Sequence, residues 1–225
     1  MSTIVLRSVK GSPLTHNEVD DNFNNLNVDK IQSGDTVAAL TITTLTATND
    51  ATINGLTVGK GANSVSTNTV LGDDALDAAV TGDKNTAVGH EALTANTSGA
   101  RNTAVGSVSL QSNTTGVDNT ALGRGTLSNN VSGAQNTAIG KSALEVNIAS
   151  NNTAVGHQSL DANTSGANNT AVGQTSLTAN TTGADNVAIG KSALGANTSG
   201  YNNTGIGSGA ASGLTTGGDN VAVGF

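Results

Sequence analysis

The chain has 225 residues, of which 29 are glycine, 11% are charged and only 1% are aromatic, and its formal net charge is −7. Leu, Ile, Val and Phe make up about 21% of it, at the edge of what can offset the ordering entropy of a conventional core. An enzyme with a broad core is therefore improbable, a disordered chain would carry more charge and more than one proline, and the acidic balance argues against nucleic acid or anionic membrane.

The beginning, Met1 to Arg7, lacks the basic flank and apolar run of a secretory signal, and no apolar stretch approaches the roughly 18 residues of a membrane span. With no cysteine there is neither a disulfide frame nor a thiolate metal site. The expectation is a soluble chain made in the cytoplasm, without membrane insertion. Ser12-Pro13 can open a helix, and Thr15 to Glu18 has the spacing of a capping box. Val19, Phe23 and Leu26 follow at i, i+4 and i+7, a narrow apolar stripe on an otherwise polar helix. Such a short helix is marginal alone, so the stripe must dock on copies of itself, on a larger partner, or on the chain's own later residues.

From Val37 to Val58 aliphatic residues alternate with threonine, as in Leu40-Thr41-Ile42-Thr43 and Ala51-Thr52-Ile53. Period-two alternation predicts strands with one covered face. Gly59-Lys60-Gly61-Ala62-Asn63-Ser64 is small and polar, a candidate joint.

From Asn68 onward the sequence repeats. Units begin at Asn68, Asn85, Asn102, Asn119, Asn136, Asn152, Asn169, Asn186, Asn203 and Asn220, a step of 17 broken once by the 16-residue unit at Asn136. The consensus is N-T-A-V-G-x-x-x-L-x-x-N-T-S/T-G-x-x. Asn-Thr-Ala-Val-Gly predicts a short strand, with Thr and Val on one face and Ala on the other. Val and the ninth-position leucines (Leu93, Leu110, Leu160 and their equivalents) are assigned to the core, and the alanine face to contact with other copies. The fifth-position glycine suits a corner, and the turn glycine (Gly99, Gly116, Gly183) is the expected positive-φ residue. A unit this short fits one coil of a parallel β-solenoid, with coils about 4.8 Å apart and asparagines aligned in side-chain ladders. Two aliphatic residues per coil make a thin core, which predicts a homo-oligomer.

The repeat resembles the head domains of trimeric autotransporter adhesins, most closely at Asn136-Thr137-Ala138-Ile139-Gly140 and Asn186-Val187-Ala188-Ile189-Gly190. That resemblance implies a left-handed β-roll, three of which pack around a common axis; it covers about two thirds of the chain, although coils of that family are a few residues shorter. The stretch from Ile4 to Asn27, through Ser12-Pro13-Leu14-Thr15, Glu18-Val19-Asp20, Asn22-Phe23 and Leu26-Asn27, resembles the N-terminal segment of tail-fibre proteins of tailed bacteriophages, especially cyanophages. This second resemblance implies a virion-attachment end, with Pro13, Leu14, Val19, Phe23 and Leu26 as the attachment residues. Residues 37–58 resemble the intertwined shafts of trimeric fibres.

Little in the sequence carries chemistry. His90 and His157 occupy a sixth position that elsewhere holds Ser107, Arg124, Lys141 and Gln174, which predicts a solvent-facing rank and no metal or catalytic role. Carboxylates do not recur in pairs, Gly217-Gly218-Asp219 stands alone rather than in tandem calcium-binding repeats, and Gly59-Lys60-Gly61 lacks phosphate-loop spacing. No catalytic, cofactor-binding or metal residue is assigned, and the chain is not expected to be an enzyme. The single threonine per strand gives no paired ranks, which argues against ice binding.

The expected protein is all-β: a homotrimeric parallel β-solenoid of 17-residue coils over residues 68–225, behind a short helical attachment segment (1–31) and a β-rich shaft (32–67). Its expected role is a virion tail fibre made in the host cytoplasm, joined by its N-terminus to a baseplate or other virion protein and serving contact with a host surface receptor. The alternative is a fragment of a bacterial trimeric adhesin, against which the absence of a signal and a membrane anchor weighs.

Overall fold

A computed structural model describes residues 51–53 and 56–224. The predicted N-terminal helix, with Pro13, Leu14, Val19, Phe23 and Leu26, and most of the shaft lie outside the described residues.

The described chain is all-β and forms one sheet whose strands follow chain order. β1 (Ala51–Ile53) and β2 (Leu56–Gly59) pair antiparallel, and β2 pairs antiparallel with β3 (Thr69–Leu71). Nine further strands of three residues stack in parallel on β3: β4 (Thr86–Val88), β5 (Thr103–Val105), β6 (Thr120–Leu122), β7 (Thr137–Ile139), β8 (Thr153–Val155), β9 (Thr170–Val172), β10 (Val187–Ile189), β11 (Thr204–Ile206) and β12 (Val221–Val223). Each pairs residue for residue with the next, Thr103 on Thr120 and Ala104 on Ala121 for example, so every strand advances the chain by one coil. The repeat is therefore a parallel β-solenoid, as the period predicts. The 16-residue unit keeps the strand register, Thr137 on Thr153, because its missing residue falls in the outer turn.

The inside and outside of the strand are the reverse of the sequence expectation. Ala87, Ala104, Ala121, Ala138, Ala154, Ala171 and Ala188 are fully buried, while the valines and isoleucines beside them face outward. The interior is filled from the return side of each coil by Leu93, Leu110, Leu127, Leu144, Leu160, Leu177 and Leu194, all at zero exposure. These leucines approach the sheet closely: alanine faces them from β4 to β10, and the larger Val70 occupies that inward position only in the first coil. Gly205 interrupts the alanine rank, and a Cβ there would already lie 3.0 Å from Leu194 Cγ. A valine rank turned inward would overpack the same space.

Two buried asparagine ladders run beside this core, as the aligned repeats predict. In the first, the asparagine opening each strand accepts from the backbone N–H of its successor: Asn85 N donates to Asn68 Oδ1 at 2.8 Å, and Asn186 N to Asn169 Oδ1 at 3.1 Å. In the second, turn asparagines donate amide to carbonyl, Asn113 Nδ2 to Asn96 Oδ1 at 2.8 Å and Asn180 Nδ2 to Asn163 Oδ1 at 2.8 Å. Both ladders converge on the turn glycine, since Gly99 O accepts from Asn85 Nδ2 and Asn96 Nδ2. This accounts for the second departure from expectation: Gly99 and its equivalents are not at positive φ. They are glycine for space, because a Cβ on Gly99 would sit 2.4 Å from Asn96 Oδ1 and 2.5 Å from Gly116 O. The left-handed conformation falls instead on non-glycine residues before each strand, including Arg101 (φ 57°) and Asp185 (φ 58°), and on the buried leucines.

Two buried amide oxygens, Asn130 Oδ1 and Asn197 Oδ1, have no partner, and each marks a break in the second ladder. After Asn130 comes the short unit, where Asn147 Nδ2 turns to Ala149 O at 2.8 Å. After Asn197 comes Leu214, which stands where the repeat places asparagine and cannot donate. Asn180→Leu should create a third such orphan at Asn163 Oδ1. One unsatisfied buried acceptor costs about 1–3 kcal/mol, so thermal unfolding followed by circular dichroism should shift down with the β-rich spectrum retained.

The expected joint is packed onto the first coil. Gly61 is buried, Ala62–Ser64 form a single 3-10 turn, and Asn63 Nδ2 donates to Val80 O at 3.1 Å. Val65 packs against the first members of the core.

Candidate functional site

With alanine inside, the outer face of the sheet carries the second and fourth residues of each Asn-Thr-Ala-Val-Gly motif. The fourth residues form an unbroken aliphatic rank: Leu71, Val88, Val105, Leu122, Ile139, Val155, Val172, Ile189, Ile206 and Val223. Leu122 is 46% exposed, Ile189 41% and Ile139 36%, large values for apolar side chains repeated coil after coil. At about 4.8 Å per strand the rank extends for about 43 Å. Beside it runs a rank of threonines, replaced by valine at Val187 and Val221, and neither rank contains a charge.

Charge collects on the two flanks of this face. On the side where the chain enters the strands stand Lys84, Arg101, Asp118 and Asp185. Arg101 Nε and Nη2 donate to Asp118 Oδ1 and Oδ2 at 2.6 and 2.9 Å, and this hydrogen-bonded pairing holds the Asp118 carboxyl below the usual carboxylate range. Asn168 Nδ2 donates to Asp185 Oδ1 at 3.0 Å. On the side where the chain leaves the strands stand Arg124, Lys141 and Lys191. Lys191 borders an open groove of about 430 Å³ lined also by Ser192, Ser208, Gly209 and Ser212.

One cluster was not foreseen. Asp73, Asp74 and His90 bring their ligand atoms within 4.8 Å of one another on the first two coils. The sixth-position rank places His90 in solvent, where it is, and also contains Asp73, which with the seventh-position Asp74 stacks beside it from the first coil. All three are exposed, and such surface groups are common without an ion. His90 Nδ1 also lies 3.8 Å from Glu91 Oε2. Farther along, burial raises the Asp161 carboxyl above its ordinary value, with Glu145 adding to the shift and His157 opposing it. Gln158 Nε2 reaches Asp161 Oδ2 only at 3.5 Å.

Among the described residues no helix is long and apolar enough to cross a membrane. The chain matches no protein-family model, no curated protein and no solved structure.

Proposed function

We propose that this chain is a structural protein, a homotrimeric tail fibre that projects from a phage particle toward the host surface. The observation that carries the reading is the uncharged aliphatic rank along the whole parallel sheet. Left in water, about 43 Å of repeated Leu, Ile and Val edge is a standing cost, and covering it by self-association removes that cost. The interior suits a mechanical role. Backbone hydrogen bonds between coils, two asparagine ladders and a leucine column all run along the rod axis, so load is shared by many equivalent contacts. The resemblance of residues 4–27 to fibre attachment segments supports placement on a virion, and Phe23 is the anchor assigned to docking there.

Imaging of virions carrying a tagged copy tests the reading. The label should lie on a tail appendage, and Phe23→Ala should reduce its incorporation while leaving the rod's β-rich spectrum unchanged. Label absent from virions overturns the proposal. The likeness of the coil at Asn186 to Ile189 to adhesin heads favours a second reading, a fragment of a bacterial trimeric adhesin. Label on the bacterial envelope would select it.

A further inference from the structure

We infer that the copies stand parallel and in register, with Asp185 of each chain seated against Lys191 of the next and Asp118 against Arg124. This rests on the reading of the sheet face as a self-association surface and adds what fixes its register. A rank that repeats every coil does not fix it: sliding two such rods by one strand forfeits only one row of contacts in ten, so something outside the rank must set the register.

The flanking charges supply it. Asp118 precedes β6 and Arg124 follows it; Asp185 precedes β10 and Lys191 follows it. Acid and base are thus at the same height on opposite flanks. A three-residue strand, roughly 10 Å at about 3.3 Å per residue, with a turn at each end, separates acid from base within one copy. Among the described residues Arg124 and Lys191 have no ion-pair partner. Asp185 receives the Asn168 amide, and Lys191 faces the open groove beside Ser208 and Gly209. Asp118 already holds Arg101 of its own chain, so Arg124 of the next copy would share that carboxylate and the Asp185–Lys191 pair is the stronger register mark. When parallel copies turn the aliphatic rank toward a shared axis, rotation brings the entering flank of each to the leaving flank of its neighbour. At equal height this places Asp118 by Arg124, Asp185 by Lys191 and Gln135 by Lys141, with no like charges opposed. A slip of one coil in one direction sets Arg124 against Arg101 and Lys191 against Asn168, gaining Lys141 against Asp118 but opposing two arginines. The opposite slip sets Arg124 against Gln135 and Lys191 against Asn202, gaining only Asp73 against Lys84. Both slips lose both pairs, and complementary charge of this kind acts mainly on register and orientation.

The chain has no cysteine, so introduced thiols report cleanly. The full-length double variant Asp185→Cys with Lys191→Cys, treated with a short bifunctional thiol cross-linker because an Asp–Lys ion pair can hold its Cα atoms beyond the roughly 4.4–6.8 Å reach of a disulfide, is expected to give a covalent ring that migrates at the mass of the whole assembly. Asp185→Cys with Gln174→Cys and Asp185→Cys with Ser208→Cys, each one coil of about 4.8 Å out of register, are expected to cross-link more slowly and less completely. All sites are on the surface, and a retained β-rich spectrum confirms folding of each variant. Equal or stronger cross-linking of an offset pair, or no cross-linking of the in-register pair in a protein of multi-chain mass, overturns the register and leaves the self-association reading standing. A single-chain mass overturns both.

Discussion

Leu160→Asp is expected to abolish the β-rich fold, whereas Val155→Asp, five residues earlier, is expected to leave it intact. Leu160 has no exposure and lies between Ala154 and its neighbours in the leucine column. Removing its side chain alone costs roughly 2–5 kcal/mol, and the new carboxylate would be desolvated in a core whose nearby buried polar side chains, among them Ser159 and Asn163, already hydrogen-bond to other side chains and to the backbone. Val155 points away from that core and an aspartate there meets water in the single chain. Far-ultraviolet circular dichroism separates the outcomes. Equal loss of structure in both variants would contradict the placement of alanine inside and valine outside.

Gly156→Val is the second large effect. Gly156 has φ 139°, which a β-branched residue does not adopt, and a Cβ there would stand 2.5 Å from Gly173 O and 2.6 Å from its carbonyl carbon. Those atoms are backbone of the next coil and cannot swing aside. Relief requires opening the stack where Gly156 N donates to Ile139 O at 2.8 Å and Gly173 N to Val155 O at 2.7 Å. Loss of cooperative unfolding is expected. Gly213→Val is the matching control: nothing lies within 4 Å of a Cβ there, and the change should stay within about 0.5 kcal/mol. Comparable destabilisation by both would remove close coil approach as the reason for glycine at the corner.

The period, the parallel stacking and the asparagine ladders were legible in the sequence because each follows from identical residues at identical spacing. Which face of the strand is inside was not. A three-residue strand, Thr-Ala-Val, offers two faces, and hydrophobicity alone favours burying valine. The choice is made by the width of the interior, which depends on how near Leu93 and its equivalents return beneath the sheet, a distance that no single coil encodes. The turn glycines misled for a similar reason. Gly99 reads as a conformational residue but serves as room for Asn96 Oδ1 and Gly116 O, contacts set by the neighbouring coil. The adjacency of Asp73 and His90 follows from the period, since they are 17 residues apart in the same sixth-position rank, but that rank varies from coil to coil and draws no attention to one pair. The attachment residues Pro13, Leu14, Val19, Phe23 and Leu26 lie outside the described residues.

The central claim is that the outward aliphatic rank, and not the core, joins the copies. Multi-angle light scattering on the wild-type chain and on the double variant Val155→Asp with Ile189→Asp tests it most directly. The wild type should show three times the 21.9 kDa chain mass if, as proposed, three copies bury the rank between them. The variant, which would bring carboxylates together in that buried seam, should fall to a single chain mass with its β-rich spectrum unchanged. A wild-type protein at the single chain mass, or a variant that keeps the multi-chain mass, would contradict the account.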